Sequence, residues 1–290
     1  MVDDNVSSRR SVLKWSGRSL AALGAVSAVT GSASGQKEEE EEEQRRRRED
    51  KPDRGEVSVE RPSGDPEFHD SVSEYQNRVN RMGTGPDNRV KIQQAGPDPT
   101  LENLDYVGHM QDDVTLEGSF IHYADVEFTL TGFEAVDDDG NPLTDSDGNY
   151  YYVLELYQFC TDVTQELREM SVSANIENYV TLESRSPRTS TSVNGAWVTL
   201  REGATVGGTG FSAEAETWVN NGTFGPKTWV PGKGGEYGII YEGSWTPEDG
   251  SQFDNIGFAS VKSPLPCWSM RDLLYTENPW DWNARAGWNV

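Results

Sequence analysis

The stretch VEFTLTGF, residues 126–133, alternates apolar and polar side chains, as does a β-strand with one buried face. The run YYYVLELYQF, residues 150–159, is rich in Tyr, Val and Leu and is typical of a second, more deeply buried strand. The residues between these two stretches are mostly Asp, Asn and Gly, which favour turns. Together they predict two strands joined across the tip of a hairpin.

The rest of the chain after this pair shows the same strand-and-turn pattern. Gly, Pro, Asn and Asp separate further predicted strands at residues 177–184, 193–201, 204–219, 223–230, 235–245 and 255–262. Asn221 and Gly222 suit a type I′ turn and predict a hairpin at residues 218–224. No repeated βαβ pattern is present. The sequence therefore predicts an all-β fold, mainly an antiparallel β-sandwich.

One or two short helices are expected beside the strands. Apolar residues recur at helical spacing in residues 70–82, with Gly83 after the end. Val163, Leu167 and Met170 predict a second helix at residues 162–170. Both helices are interpreted as packing elements.

The N-terminus reads SRRSVLK at residues 8–14, followed by a weakly apolar run at residues 19–30. This pattern resembles the twin-arginine export signal, with Arg9 and Arg10 as the paired arginines and Val12 where Phe is commoner. The resemblance implies that residues 1–35 are a signal peptide, that the Tat translocase is a partner during export, and that the protein is secreted. The run is too short to span a hydrocarbon core of ~30 Å, and no transmembrane helix is expected in the mature chain.

The predicted organisation has three parts. The signal is followed at residues 36–56 by a low-complexity charged linker, in which a block of Glu precedes a block of Arg. Signal and linker are expected to be disordered. Residues 57–290 form the β-rich extracellular domain, with a Trp-rich C-terminal tail at residues 266–290.

Charge excludes one class of partner and suggests a habitat. The chain has 49 acidic and 25 basic residues, a formal net charge of −24, so nucleic acid is not an expected partner. The composition resembles that of secreted haloarchaeal proteins. Such a surface repels itself at low ionic strength, and this repulsion largely disappears at about 1 M salt, where the Debye length is roughly 3 Å.

The two cysteines, Cys160 and Cys267, are an even number in an expected extracellular setting. They predict a disulfide, which would close a loop of about a hundred residues and stabilise the fold by roughly 4–5 kcal/mol in the chain-entropy model. Two free buried thiols are the alternative.

The predicted turn between the first two strands is a candidate calcium site, since oxygen-rich loops bind Ca²⁺. Its spacing does not match an EF-hand, and the alternative is an acidic turn in an acidic protein. No other cofactor is indicated, and no zinc, nucleophile-elbow or other catalytic motif is present. The candidate ligands are Asp137, Asp139, Asn141, Asp145 and Asp147.

Two features suggest contact with membranes or ligands. Residues 206–219 predict a long strand with small and apolar residues on one face and polar residues on the other, which faintly resembles the inserting hairpins of β-pore-forming toxins. In the tail, Trp280, Trp282 and Trp288 are candidates for ligand or membrane contact, or for covering one end of the sandwich. Asn221 begins an Asn-Gly-Thr glycosylation acceptor.

These observations support three hypotheses. The first is a secreted extracellular binding module of a halophile, with a cell-surface, glycan or membrane partner and no catalytic residues. The second is a membrane-active antimicrobial, halocin-like or β-pore-forming, that uses a hairpin at residues 206–224 and the Trp-rich tail. The third is a polysaccharide hydrolase, which requires carboxylates and Trp side chains along one groove.

The charge of the chain makes its stability dependent on salt. We expect the melting temperature to rise when KCl is increased from about 0.1 M to about 1 M, because screening removes repulsion among the surface carboxylates. Differential scanning calorimetry measures the change. A melting temperature that stays constant or falls across this range contradicts the halophilic interpretation.

Overall fold

The structure, a computed structural model of the chain, describes residues 56–60, 68–71, 73, 100–117, 121–193, 195–219, 221–246 and 253–287. Among these residues the fold is almost entirely strand, with one short helix, α1 (Met270–Leu273). The strands are β1 (Glu56–Glu60), β2 (Phe68–His69), β3 (Thr100–Glu102), β4 (Leu104–Glu117), β5 (His122–Ala135), β6 (Tyr150–Thr161), β7 (Glu166–Asn175), β8 (Thr181–Ser186), β9 (Thr191–Val193), β10 (Ala196–Val206), β11 (Thr209–Val219), β12 (Gly222–Val230), β13 (Gly232–Lys233), β14 (Glu236–Trp245), β15 (Phe253–Ser263) and β16 (Trp280–Gly287).

The strands form three sheets. Sheet A has the order β1-β16-β7-β14-β12-β9, sheet B has the order β13-β8-β15-β6-β5-β4-β2, and sheet C has the order β10-β11-β3. Every pairing between neighbouring strands is antiparallel. The predicted all-β, antiparallel class is therefore confirmed, and the two opening stretches are the neighbouring strands β5 and β6.

Sheets A and B pack face to face around an aromatic core. Phe128 of β5 stacks on Trp282 of β16, with ring centroids 4.6 Å apart. The Tyr237 hydroxyl of β14 donates a hydrogen bond of 2.8 Å to the carbonyl of Ser186 at the end of β8. Through these contacts sheet A covers one face of sheet B.

The opposite face of sheet B is covered by sheet C. Gly257 of β15 lies against Ile239 of sheet A. Because successive residues of a strand point to opposite faces, Ser260, three residues after Gly257, faces away from sheet A. The Ser260 hydroxyl instead donates a hydrogen bond of 3.1 Å to Glu202 of β10. Residues 152–158 of β6 and 255–261 of β15 are all buried, because both of their faces are covered.

The helix predicted at residues 162–170 is wrong, since this segment leads into β7. The pairing of β7 with β16 skips Arg168, so that Leu167 pairs with Ala286 and Met170 pairs with Ala284. This bulge turns Leu167 and Met170 to the same face and produces a three-residue spacing that imitates a helix. The other predicted helix, residues 70–82, falls almost wholly outside the described residues.

The strand predicted at residues 204–219 is in fact interrupted by a two-residue turn. Gly207 and Gly208 have φ of +60° and +97°, which glycine adopts without strain, and Val206 pairs with Thr209 across them. The hairpin predicted at Asn221 and Gly222 is wrong, because β11 and β12 belong to different sheets. Asn221 instead lies where the chain passes from sheet C to sheet A.

The predicted disulfide is also wrong, as both cysteines are free and buried. The backbone N–H of Cys267 donates a hydrogen bond of 2.8 Å to the Tyr152 hydroxyl near the start of β6. Cys160 lies eight residues further along that strand, roughly 26 Å away, whereas the Cα atoms of a disulfide are about 4.4–6.8 Å apart. Burial raises the pKa of both thiols and keeps them unreactive.

The stacked pair at the centre of the sandwich gives a test of the fold. We expect Trp282→Ala to lower the free energy of unfolding by about 3–5 kcal/mol, because it leaves a cavity beside Phe128 and removes the indole N–H that bonds to Asp112. Denaturant titration in high salt measures this loss. Trp268→Ala is the matched control: its side chain is exposed, and we expect a change within about 0.5 kcal/mol. Equal losses in the two variants contradict the described packing.

Candidate functional site

The candidate site is the hairpin formed by β10 and β11, residues 196–219, called the hairpin below. Its two strands have eleven residues each and pair continuously from Ala196 opposite Val219 to Val206 opposite Thr209. Its described pairing with the rest of the chain is restricted to three residues, where β11 meets β3 at residues 212–214. The backbone hydrogen bonds of the hairpin are therefore mostly internal.

One face of the hairpin, its inner face, lies against sheet B. Phe211 contacts Tyr151 of β6, with ring centroids 6.0 Å apart. Small or apolar side chains make up most of this face, and the alternation predicted for residues 209–219 is present in β11. The buried residues of the inner face are Leu200, Glu202, Val206, Phe211, Ala213, Ala215, Thr217 and Val219.

Polar contacts also attach the inner face to sheet B. The hydroxyls of Ser184 and Ser260 donate to the same carboxylate oxygen of Glu202, a residue that is only 3% exposed. Near the other end, the Thr217 hydroxyl donates a hydrogen bond of 2.8 Å to the carbonyl of Asp254. Because Ala213 and Ala215 bury little apolar area, these hydrogen bonds are an important part of what holds the hairpin.

The outer face of the hairpin is polar and partly solvent-exposed. Arg201 and Glu214 form an ion pair of 3.7 Å in which both side chains are exposed, so it contributes little to stability. At the open end of the hairpin, Trp197 and Trp218 pair edge to face across the strands. Toward the glycine turn, residues 203–213 contain no charged side chain.

Glu202 was not predicted from the sequence as a site residue, because a single carboxylate does not stand out in a chain rich in Asp and Glu. The signal was nevertheless present, because Glu202 has the same strand parity as Leu200 and Val206. A charge on an otherwise apolar face marks a position where the packing must supply hydrogen-bond donors.

Asp254 of β15, whose backbone carbonyl accepts the hydrogen bond from Thr217, carries a second carboxyl group of interest. Desolvation raises its pKa to about 7, although the residue retains some exposed surface. It lies next to Thr217, near the open end of the hairpin. The protonated form is therefore favoured in the folded state well above the ordinary pKa of an aspartate.

The predicted calcium ligands lie in two consecutive turns of sequence Asp-x-Asp-Gly-Asn, residues 137–141 and 145–149. In each turn the first Asp accepts hydrogen bonds from the backbone and amide N–H groups of the Asn. These bonds lower the pKa of Asp137, and that of Asp145 to about 2. Within the described chain no group of three or more potential metal-ligating side chains occurs, and calcium binding stays a prediction.

The predicted tryptophan contacts are corrected by burial. Trp280 and Trp282 are 0% and 1% exposed, because β16 is an internal strand of sheet A, and neither is available for ligand or membrane contact. Trp288 lies outside the described residues, as do Arg9 and Arg10. Asn221 is exposed, and its glycosylation stays a prediction.

Two surface cavities bear on the hydrolase hypothesis. One, of about 370 Å³, lies along the hairpin between Glu102, Arg188 and Arg201. The other, of about 390 Å³, is lined by Asn175, Asn178, Tyr275 and Asn278, among others. Neither is lined by tryptophan, so neither is the groove that this hypothesis requires.

Comparisons with known proteins give distant structural likenesses. No family model matches the chain, and no curated protein matches it. One similar solved structure is described as a pore forming protein, with a TM-score of 0.36 and 8% identity over 67% of this chain and 92% of that one. Another is the Clostridium perfringens NetB toxin in the membrane inserted form, with a TM-score of 0.24 and 9% identity over 63% of this chain and 92% of that one. Neither likeness is close enough to assign a function.

None of the described helices is long and apolar enough to cross a bilayer.

The raised pKa of Asp254 predicts a pH dependence of stability. In the folded state this group stabilises the protein fully below its ordinary pKa near 4, and the contribution is lost as the pH rises through about 7. We therefore expect Asp254→Asn to melt at a higher temperature than the wild type at pH 8, and the advantage to disappear at pH 4. Thermal melts at both pH values in the same salt measure it. An equal difference between the two proteins at both pH values contradicts the assigned titration.

Proposed function

We propose that the protein acts on membranes by detaching the hairpin from sheet B and inserting it into a lipid bilayer. The observation that carries the proposal is the hairpin itself: two continuously paired strands with one largely apolar face, one polar face and an uncharged tip. Of the three hypotheses drawn from the sequence, membrane insertion is the one for which the described residues include a suitable structural element, the hairpin. The interpretation as an extracellular binding module stays a prediction without an identified ligand.

The length of the hairpin suits a bilayer. A transmembrane β-strand needs about 9–11 residues at a tilt of about 45°, and β10 and β11 have eleven each. The inner face would meet lipid and the outer face water, as in the alternating strands of a membrane barrel. Residues 203–213 would cross first, without carrying a charged side chain through the hydrocarbon.

A single hairpin cannot span a bilayer alone, because its two edges would leave backbone N–H and C=O groups without partners in hydrocarbon. Several copies must therefore associate into a closed barrel, in which β10 of one copy pairs with β11 of the next. Among the described residues the pairing with β3 covers only three residues, so little of the described pairing has to be broken before that edge is free.

Glu202 is the one charged residue of the inner face. Transfer to lipid would remove the hydroxyl groups of Ser184 and Ser260 from its carboxylate. An ionised carboxylate facing hydrocarbon is costly, so this group must be protonated or paired during insertion. Its buried hydrogen bonds hold the hairpin in the packed state.

The same proposal includes the place where the protein acts. The twin-arginine pattern and the acidic composition support export into a salt-rich medium, where the protein would meet the membranes of other cells. This is the halocin-like alternative that the sequence suggested.

A reversible lock tests the proposal. Glu102 and Ser212 are cross-strand partners that join β3 to the hairpin, so Glu102→Cys/Ser212→Cys ties the hairpin to the body when oxidised. We expect the oxidised variant to release no dye from lipid vesicles in molar KCl, and release to return after reduction. The native thiols, both buried, should not interfere.

A second disulfide pair is the matched control. Arg201 and Glu214 are also cross-strand partners, but both belong to the hairpin, so Arg201→Cys/Glu214→Cys leaves it free to detach. This variant should release dye in both redox states. Release by the oxidised Glu102–Ser212 lock, or no release by the wild type under any lipid composition, overturns the proposal.

A further inference from the structure

We propose that the loop at residues 264–268 is the surface by which the protein docks on a zwitterionic bilayer, with Leu265 and Trp268 entering the headgroup region. This inference rests on the proposed membrane function and adds the site of first contact.

The loop carries unusually exposed hydrophobic side chains. Trp268 is 84% exposed and Leu265 is 56% exposed, whereas Trp280 and Trp282 are fully buried. An indole has an apolar ring and a polar N–H, and it is favoured at the boundary between headgroups and acyl chains. The surface therefore has the chemistry that a bilayer interface accepts.

Hydrogen bonds hold the backbone of the loop in place. The Ser263 hydroxyl bonds to both the N–H and the carbonyl of Leu265, at 3.1 and 2.7 Å. The backbone N–H groups of Trp268 and Ser269 both donate to the carboxylate of Asp272, at 2.9 and 3.0 Å. Cys267 is anchored to Tyr152 between them. Because the backbone is already ordered, docking costs less conformational entropy.

The loop lies at the same end of the molecule as the hairpin tip. Along β15, Asp254 adjoins Thr217 near the open end of the hairpin, while Ser263 pairs with Tyr150. Tyr151, the next residue of β6, contacts Phe211 near the glycine turn. The strand β15 therefore leads toward the tip of the hairpin. The docking loop begins directly after Ser263, the last residue of β15.

Charge selects the kind of bilayer. Residues 263–270 contain no charged side chain, which suits a neutral headgroup layer. The same end of the sandwich carries the acidic turns that begin at Asp137 and Asp145, and the chain as a whole has a net charge of −24. Anionic lipids attract surfaces that carry Lys and Arg side chains, and residues 263–270 carry none, so we assign the loop to zwitterionic lipid.

In this test every protein carries the oxidised Glu102→Cys/Ser212→Cys disulfide. Because this disulfide holds the hairpin on the body, the test measures docking without insertion. Cosedimentation with phosphatidylcholine vesicles in about 1 M KCl measures docking alone. We expect Trp268→Ala in the locked chain to lower the partition coefficient at least about tenfold, as loss of one large buried apolar side chain does. Trp197→Ala is the control, since Trp197 is 43% exposed at the opposite end, and it should bind like the locked parent.

The outcomes are distinct. Equal binding of the Trp268 and Trp197 variants, or binding only to vesicles that contain glycolipid, overturns the docking loop. So does an absence of binding by the locked parent while the unlocked chain releases dye, a result that leaves the insertion proposal standing. Binding that depends on Trp268 without dye release by the unlocked chain supports docking and overturns insertion. Melting temperatures confirm that each variant is folded.

Discussion

The structure depends on the burial of sheet B on both of its faces. Residues 152–158 of β6 and 255–261 of β15 are buried without interruption, so this sheet needs a cover on each side. Sheet A supplies one cover and the hairpin supplies the other. If the hairpin detaches, Ser260 and the side chains beside it on that face become exposed to water. The hydrogen bonds that hydroxyl groups donate to Glu202 are then broken. The hairpin is thus an element of the core, and in the proposed function it is also the part that detaches.

The two covers differ in chemistry, and this difference is consistent with the different roles proposed for them. The side facing sheet A is closed by stacked aromatic rings such as Phe128 on Trp282. The side facing the hairpin is closed largely by small side chains and by hydrogen bonds to Glu202 and from Thr217. Large aromatic contacts bury more apolar area per residue than alanines do, so the sandwich is expected to outlast detachment of the hairpin. Alternation of small apolar and polar residues suits both the packed and the lipid-facing state.

The geometry of one end of the molecule links these roles. The glycine turn of the hairpin and the loop that carries Trp268 both lie where β15 ends. A bilayer bound by the loop would lie close to the uncharged tip, and the partly exposed Trp197 at the far end would remain in water. The proposed docking and the proposed insertion therefore depend on different residues, so the two proposals can be tested separately.

The sequence by itself determined the backbone state of most strands. Alternation in residues 126–133 and 209–219 identified strands, because the two-residue period is a property of each strand alone. It did not show that the polar face of residues 126–133 is buried as well, where Thr129 and Thr131 are both 0% exposed. Pairing and burial were decided only by the tertiary structure. Asn221 with Gly222 and Gly207 with Gly208 are both suitable turns, yet only the second joins paired strands. The bulge at Arg168 disguised β7 as a helix, the sandwich placed Cys160 far from Cys267, and pairing in sheet A buried Trp280. Each of these outcomes depends on contacts between residues far apart in the chain, which no local pattern records.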